Sequence, residues 1–129
     1  MKKLETTSRI LLGLIFAIFG FNHFVPFIPH PEMTGDALTY MTGLSAVGYF
    51  WPLLRALELL CGLALLSNRF VPLALSVLAP ITLHITLFHL FSMPANLPLA
   101  IVMTLAHGYL VKRNWSHFSE IFKIKTNEV

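Results

Sequence analysis

The chain has 129 residues, of which 56% are hydrophobic and 12% charged, with a formal net charge of +3. Soluble domains carry about a quarter charged residues, so too few charges remain to coat a water-exposed surface, and the composition points to one integral membrane domain. No basic stripe interleaved with exposed aromatics suggests nucleic acid, and the single cysteine, Cys61, excludes an internal disulfide and reads as a buried thiol.

Four apolar segments, each near the ~17–25 residues of a bilayer-crossing helix, follow in chain order. Their backbone groups find no water in hydrocarbon, which predicts helices. The first, "SRILLGLIFAIFGFNHF" (8–24), follows Lys2 and Lys3 but ends in bulky residues rather than a small-residue cleavage site. It therefore reads as a retained helix and not as a signal peptide. Gly13, Ala17 and Gly20 form a small face flanked by His23. Asn22 points away from that face if the helix is still regular there, or else ends the helix ahead of Pro26.

The connection 25–50 is the one long loop. Pro26, Pro29 and Pro31 are followed by "TGDALTYMTGLSAVGYF", where Thr34 is placed to cap a short interfacial helix. Ala37, Leu38, Met41 and Leu44 would share one side of it.

The second segment, "WPLLRALELLCGLALLS" (51–67), carries Arg55 and Glu58 among leucines. Such charges are costly in a membrane helix and tend to face the bundle interior. Two readings stand side by side: mutual neutralisation across i, i+3, or a ligand or proton-relay site. Trp51, Arg55, Glu58, Gly62 and Leu65 follow the 4-3-4-3 spacing of a packing seam, with Gly62 placed for close helix approach.

The third segment (70–91) follows the short turn Asn68–Arg69 and contains Pro80, a predicted kink. Thr82, Thr86 and His89 share one side of it, with His84 roughly opposite, which predicts protein neighbours on both sides. After the turn 92–94, the fourth segment (95–111) puts Ala100, Thr104 and His107 on one face. His107 reads as a buried ring bonded to a backbone carbonyl. Short turns make neighbours antiparallel. The predicted fold is all-α: an integral membrane antiparallel four-helix bundle with a long first outer loop and a tail, 112–129.

Lys2, Lys3, Arg9, Arg69, Lys112, Arg113, Lys123 and Lys125 all fall on one side of this topology, and the opposite loops hold Glu32 and Asp36 but no Lys or Arg. The positive-inside rule then predicts two cytoplasmic termini. Tyr40, Tyr49 and Trp51 would mark the outer interface, and Tyr109 and Trp115 the inner one. Asn22, His23, Arg55, Glu58 and His89 come to lie in the outer third of the bundle, with His84 about two turns deeper. His23, Glu58 and His89 could assemble a metal site from three helices, but the spacing does not demand one and no metal is predicted. His30 and Glu32 are weaker candidates still. No phosphate loop, haem motif or nucleophile–base arrangement is present.

"RILLGLIFAIFGFNHF", "GYFWPLLRALELLCGLALL", "RFVPLALSVLAPITLHI" and "FHLF", with the proline-containing first loop, resemble the DoxX family over about residues 9–113. His84 departs from the family pattern, where asparagine is more usual. The resemblance implies a small four-helix protein of the bacterial inner membrane. Some members are associated with quinone-linked thiosulfate oxidation, others with oxidative-stress complexes that use soluble redox partners. The first implied function is a quinone-linked redox subunit with a polar pocket in the outer half. Glu58 and His89 would transfer protons, Arg55 would supply an anion contact or counter-charge, and Asn22, His23 and His84 would bind ligand. Its ligand would be a quinone or similar lipid-soluble molecule. Electrons would come from a redox partner or from the substrate, since the chain has no cofactor motif or dithiol. The alternative is a non-catalytic membrane scaffold or assembly factor for a redox complex. A small-molecule carrier is a third reading, for which four helices leave little room.

Overall fold

The computed structural model describes residues 2–29 and 32–124, so His30, Pro31 and Lys125 lie outside the described residues. The elements are α1 (Lys2–Phe24), α2 (Gly35–Ser45), α3 (Phe50–Ser67), α4 (Val71–Phe91), a 3₁₀ turn (Pro94–Asn96), α5 (Leu97–Arg113) and α6 (Trp115–Phe118). Four helices are long and apolar enough to cross a membrane: Lys2–Phe24, Phe50–Ser67, Val71–Phe91 and Pro94–Arg113. The first starts at Lys2 rather than at residue 8, because the intervening residues include no glycine or proline to stop it.

The four long helices form a ring in which α1 packs on α3 and α5, and α4 packs on the same two. Cross-contacts show that neighbours run antiparallel. Arg9 near the start of α1 reaches Leu65 near the end of α3, and Glu5 pairs with Arg113 at the end of α5. Thr86 and Thr104 meet between α4 and α5. The start of α1, the end of α5 and the α3–α4 turn therefore share one end of the bundle, the basic end. The loop holding α2 lies at the other.

The α1–α3 contact is the tightest, and glycine makes it so. A β-carbon on Gly62 would sit 2.5 Å from the Ala17 nitrogen, and one on Gly20 would sit 2.8 Å from the Arg55 carbonyl oxygen. The small face expected on the first helix thus meets the seam expected on the second. Leu12, Phe16, Cys61, Leu65, Leu75, Leu78, Met103, Leu110 and Phe118 form the core. Leu60, Leu63, Leu73, Leu83 and Leu105 point outward, as suits helices whose solvent is hydrocarbon.

The turn from α3 to α4 places Asn68 and Phe70 in the left-handed region, at φ 57° and 55°. The Arg9 guanidinium donates to the carbonyls of Leu65 and Leu66. It adds positive charge at the α3 C-terminus and a second donor to the Leu65 carbonyl, which also accepts from the Asn68 N–H. At the loop end, Thr34 precedes α2 in extended conformation but its side chain makes no capping bond. Of the expected apolar side of α2, Ala37 is buried while Leu38 is exposed, so the helix rests on the bundle along a narrow line.

Candidate functional site

The polar residues at the loop end fall into three groups. The first lies on α3. Arg55 Nη1 donates to Glu58 Oε2 at 2.8 Å, with Glu58 2% and Arg55 21% exposed. One turn earlier, the Trp51 ring lies 5.2 Å from the Arg55 guanidinium carbon, a cation–π distance. Trp51 Nε1 donates to Ser45 Oγ at 3.0 Å. A continuous line thus runs from the end of α2 through Trp51 and Arg55 to the buried carboxylate. Among the described residues, Arg55 is the only hydrogen-bond partner of Glu58.

The second group is the exit from α1. The helix continues to Phe24, so Asn22 does not terminate it. Asn22 is buried, and its Oδ1 accepts from the backbone N–H groups of Phe27 and Ile28, each at 2.8 Å. Its Nδ2 donates to the Ile28 carbonyl at 3.1 Å. The carboxamide that the sequence offered as a ligand-orienting donor is occupied in folding the loop back onto the helix end.

The third group joins α2 to α4. His84 Nε2 and the Tyr40 hydroxyl are hydrogen-bonded, with the two rings stacked at 5.3 Å and 26°. Phe88 adds a second aromatic contact to Tyr40 at 5.1 Å. Burial raises the Tyr40 phenol above its ordinary pKa. On the other side of α4, Thr86 Oγ1 meets Thr104 Oγ1 of α5 at 2.5 Å, so α4 does have neighbours on both its polar sides.

His23 and His89 stand apart. His23 lies edge-on to Phe24 at 5.1 Å. His89 Nδ1 donates to the Ile85 carbonyl one turn back at 2.8 Å, leaving Nε2 as an acceptor in the neutral ring. Neither ring has a hydrogen bond or ion pair to Arg55 or Glu58 among the described residues. Among those residues no three His, Cys, Asp or Glu side chains are gathered as metal ligands would be. Shared depth, which the sequence made conspicuous, is not contact.

Deeper in the bundle, His107 Nε2 donates to the Leu75 carbonyl at 3.0 Å. The neutral ring then accepts at Nδ1 from the Thr82 hydroxyl at 2.9 Å. This is the carbonyl-bonded histidine expected from the sequence, with one partner more. A groove of about 250 Å³ runs along α1 and α3 and is lined by Ala17, Ile18, Phe21, Phe27, Leu59 and Leu63. It carries no polar side chain.

Sequence reasoning missed Tyr40 and Ser45 as partners, and it counted Arg9 only as a topology marker. Tyr40 lies three residues beyond Ala37, which placed it near the packed side of α2. Nothing in the linear pattern, however, selected His84 as its partner. The DoxX family model matches residues 5–90, from the first turns of α1 to the end of α4. No curated protein matches the chain, and neither does any solved structure.

Proposed function

The chain belongs to the DoxX family, and on that premise we propose that it is a non-catalytic scaffold or assembly subunit of a membrane redox complex. The observation carrying this reading is the internal pairing of the buried polar groups at the loop end and in the core; among the described residues the Tyr109 hydroxyl, towards the basic end of α5, is buried without a hydrogen-bond partner. Glu58 is bonded by Arg55, Asn22 by its own loop, and His107 by Thr82 and Leu75. Asn22 and His107, paired in this way, fix loop and helix positions and leave little valence for a substrate, while Glu58 is held through one carboxylate oxygen, Oε2. The two charges neutralise each other at a cost in desolvation, and what they supply in return is a defined register rather than raw stability. The membrane is the bacterial inner membrane, with both termini cytoplasmic. Lys2, Lys3, Arg69, Lys112, Arg113 and Lys123, all at the basic end, support that orientation.

A second reading, a quinone-linked redox subunit, is favoured by the apolar groove beside Leu59 and by Nε2 of His89, which has no hydrogen-bond partner among the described residues. An apolar tail would lie in the groove, Glu58 and His89 would exchange protons with the head, and Arg55 would supply the counter-charge. His23 would orient the ligand, while Asn22 and His84 would first have to release their present partners.

One variant separates the readings: Arg55→Leu with Glu58→Leu, purified with its native lipid. On the scaffold reading the variant folds but, having lost the pair that fixes the loop helix, retains less of the parent's co-purifying proteins, and neither extract contains quinone in stoichiometric amount. Stoichiometric quinone in the parent that is lost from a folded variant would overturn it.

A further inference from the structure

The last described residues form a surface that neither reading uses. After α5, the chain turns at Asn114 into α6, and Phe118 enters the core with Leu12, Leu75 and Leu110. That anchor holds the following residues against the basic end of the bundle. Trp115 stacks on Phe122 at 5.4 Å and 21°. Ile121, Phe122 and Ile124 are nonetheless 66%, 67% and 99% exposed. The same end carries Lys2, Lys3, Arg69, Lys112, Arg113 and Lys123 against Glu5 and Glu120. Both acids already have partners, in Arg113 and Lys123.

We propose that residues 115–124 form an interfacial anchor that docks on an anionic lipid leaflet. A helix crossing the bilayer ends at its surface, so a segment pinned there by Phe118 is already at headgroup depth. Large apolar side chains next to lysines fit the boundary between headgroups and acyl chains, where each type meets its own solvent. Excess cations add attraction to anionic headgroups that falls off within a Debye length. The charge complementarity selects a lipid surface over an apolar protein groove, which would leave the lysines without partners.

The probe is the full chain carrying Phe122→Trp, Trp51→Phe and Trp115→Phe, in bilayer discs of phosphatidylcholine with or without phosphatidylglycerol, with brominated acyl chains as quencher. The expected result is blue-shifted, strongly quenched emission in the anionic discs. Lys112→Gln and Lys123→Gln should each lower the ratio of docked to free segment about fivefold, and high salt should act in the same direction. A bimane on Phe122→Cys, with both tryptophans kept and Cys61 buried from the reagent, repeats the measurement without touching the Trp51 contact. Water-like emission in anionic discs would overturn the proposal. So would equal shielding in uncharged micelles, which means packing on the protein itself. Shielding that appears only on addition of a soluble protein would also overturn it.

Discussion

Replacing Gly62 by alanine should loosen the bundle at its tightest contact. A β-carbon there lies 2.5 Å from the Ala17 nitrogen, 2.8 Å from the Gly13 carbonyl oxygen and 2.9 Å from the Ala17 α-carbon. Ordinary contact begins near 3.4 Å, so the closest approach falls short by 3.4 − 2.5 = 0.9 Å. All three obstacles are backbone, and no change of rotamer relieves them. The helices must separate, and a gap of that size forfeits a quarter to a half of each dispersion contact along the seam. Overpacking a core costs about 1–3 kcal/mol, and a wholly backbone obstacle puts Gly62→Ala near the top of that range. The assay is reversible unfolding of the purified chain by dodecyl sulfate in mixed micelles. Gly108→Ala on α5 is the control, because a β-carbon there meets nothing within 4 Å. Both variants gain the helix propensity of alanine, worth about 1 kcal/mol, so their difference isolates the clash. Equal stability of the two would refute the close-approach reasoning.

In a double-mutant cycle, Arg55→Ala and Glu58→Ala alone should each cost about 3–5 kcal/mol, because each strands a charge. The double variant should lose less than the sum, with a coupling of about 1–3 kcal/mol; additive losses would exclude mutual neutralisation. Asn22→Ala leaves two loop N–H groups without an acceptor, at about 1–3 kcal/mol. Hydrogen exchange at Phe27 and Ile28 should accelerate, and unchanged exchange would count against the loop anchor. Burial raises the Tyr40 pKa, so the folded state favours the neutral phenol. That stability is fully present below the ordinary tyrosine value of about 10 and is lost as pH rises through the raised one. In a Tyr49→Phe, Tyr109→Phe chain, phenolate absorbance should develop above the ordinary range, and titration at the ordinary value would contradict the burial.

The fold was legible because membrane helices announce themselves by length and apolarity, and here two further signals agreed. The spacing of Gly13, Ala17 and Gly20 against Gly62 identified which helix faces meet, since only small residues let backbones approach so closely. Thr82, Thr86 and His84 on different sides of one helix required neighbours on both. The candidate site was legible only as a set of depths. Depth along a helix follows from rise per residue, but contact between helices depends on rotation and on what the loops do. Asn22 shows the difference. Its helix position suggested a donor for a ligand, whereas the loop that consumes it is irregular and proline-rich, with no periodicity to read. Tyr40 and His84, forty-four positions apart, meet only because the long first loop brings α2 against α4.

The charges in the leucine run can be placed in that geometry. Two leucines at 55 and 58 would satisfy lipid and core alike, but apolar contacts slide with little penalty and tolerate repacking. An ion pair does not slide. Glu58 is buried on the seam that Gly62 fixes against α1. Arg55 reaches from Glu58 to the Trp51 ring, and Trp51 holds Ser45 at the end of α2. The position of the loop helix is thereby tied to the register of α1 against α3, through side chains that each have one directional partner. From the other side Tyr40 ties the same helix to α4. A short helix resting on the bundle along a narrow line would otherwise be held by Ala37 and little else. The pair therefore does at the loop end what glycine does along the seam: it converts a permissive apolar contact into a single arrangement.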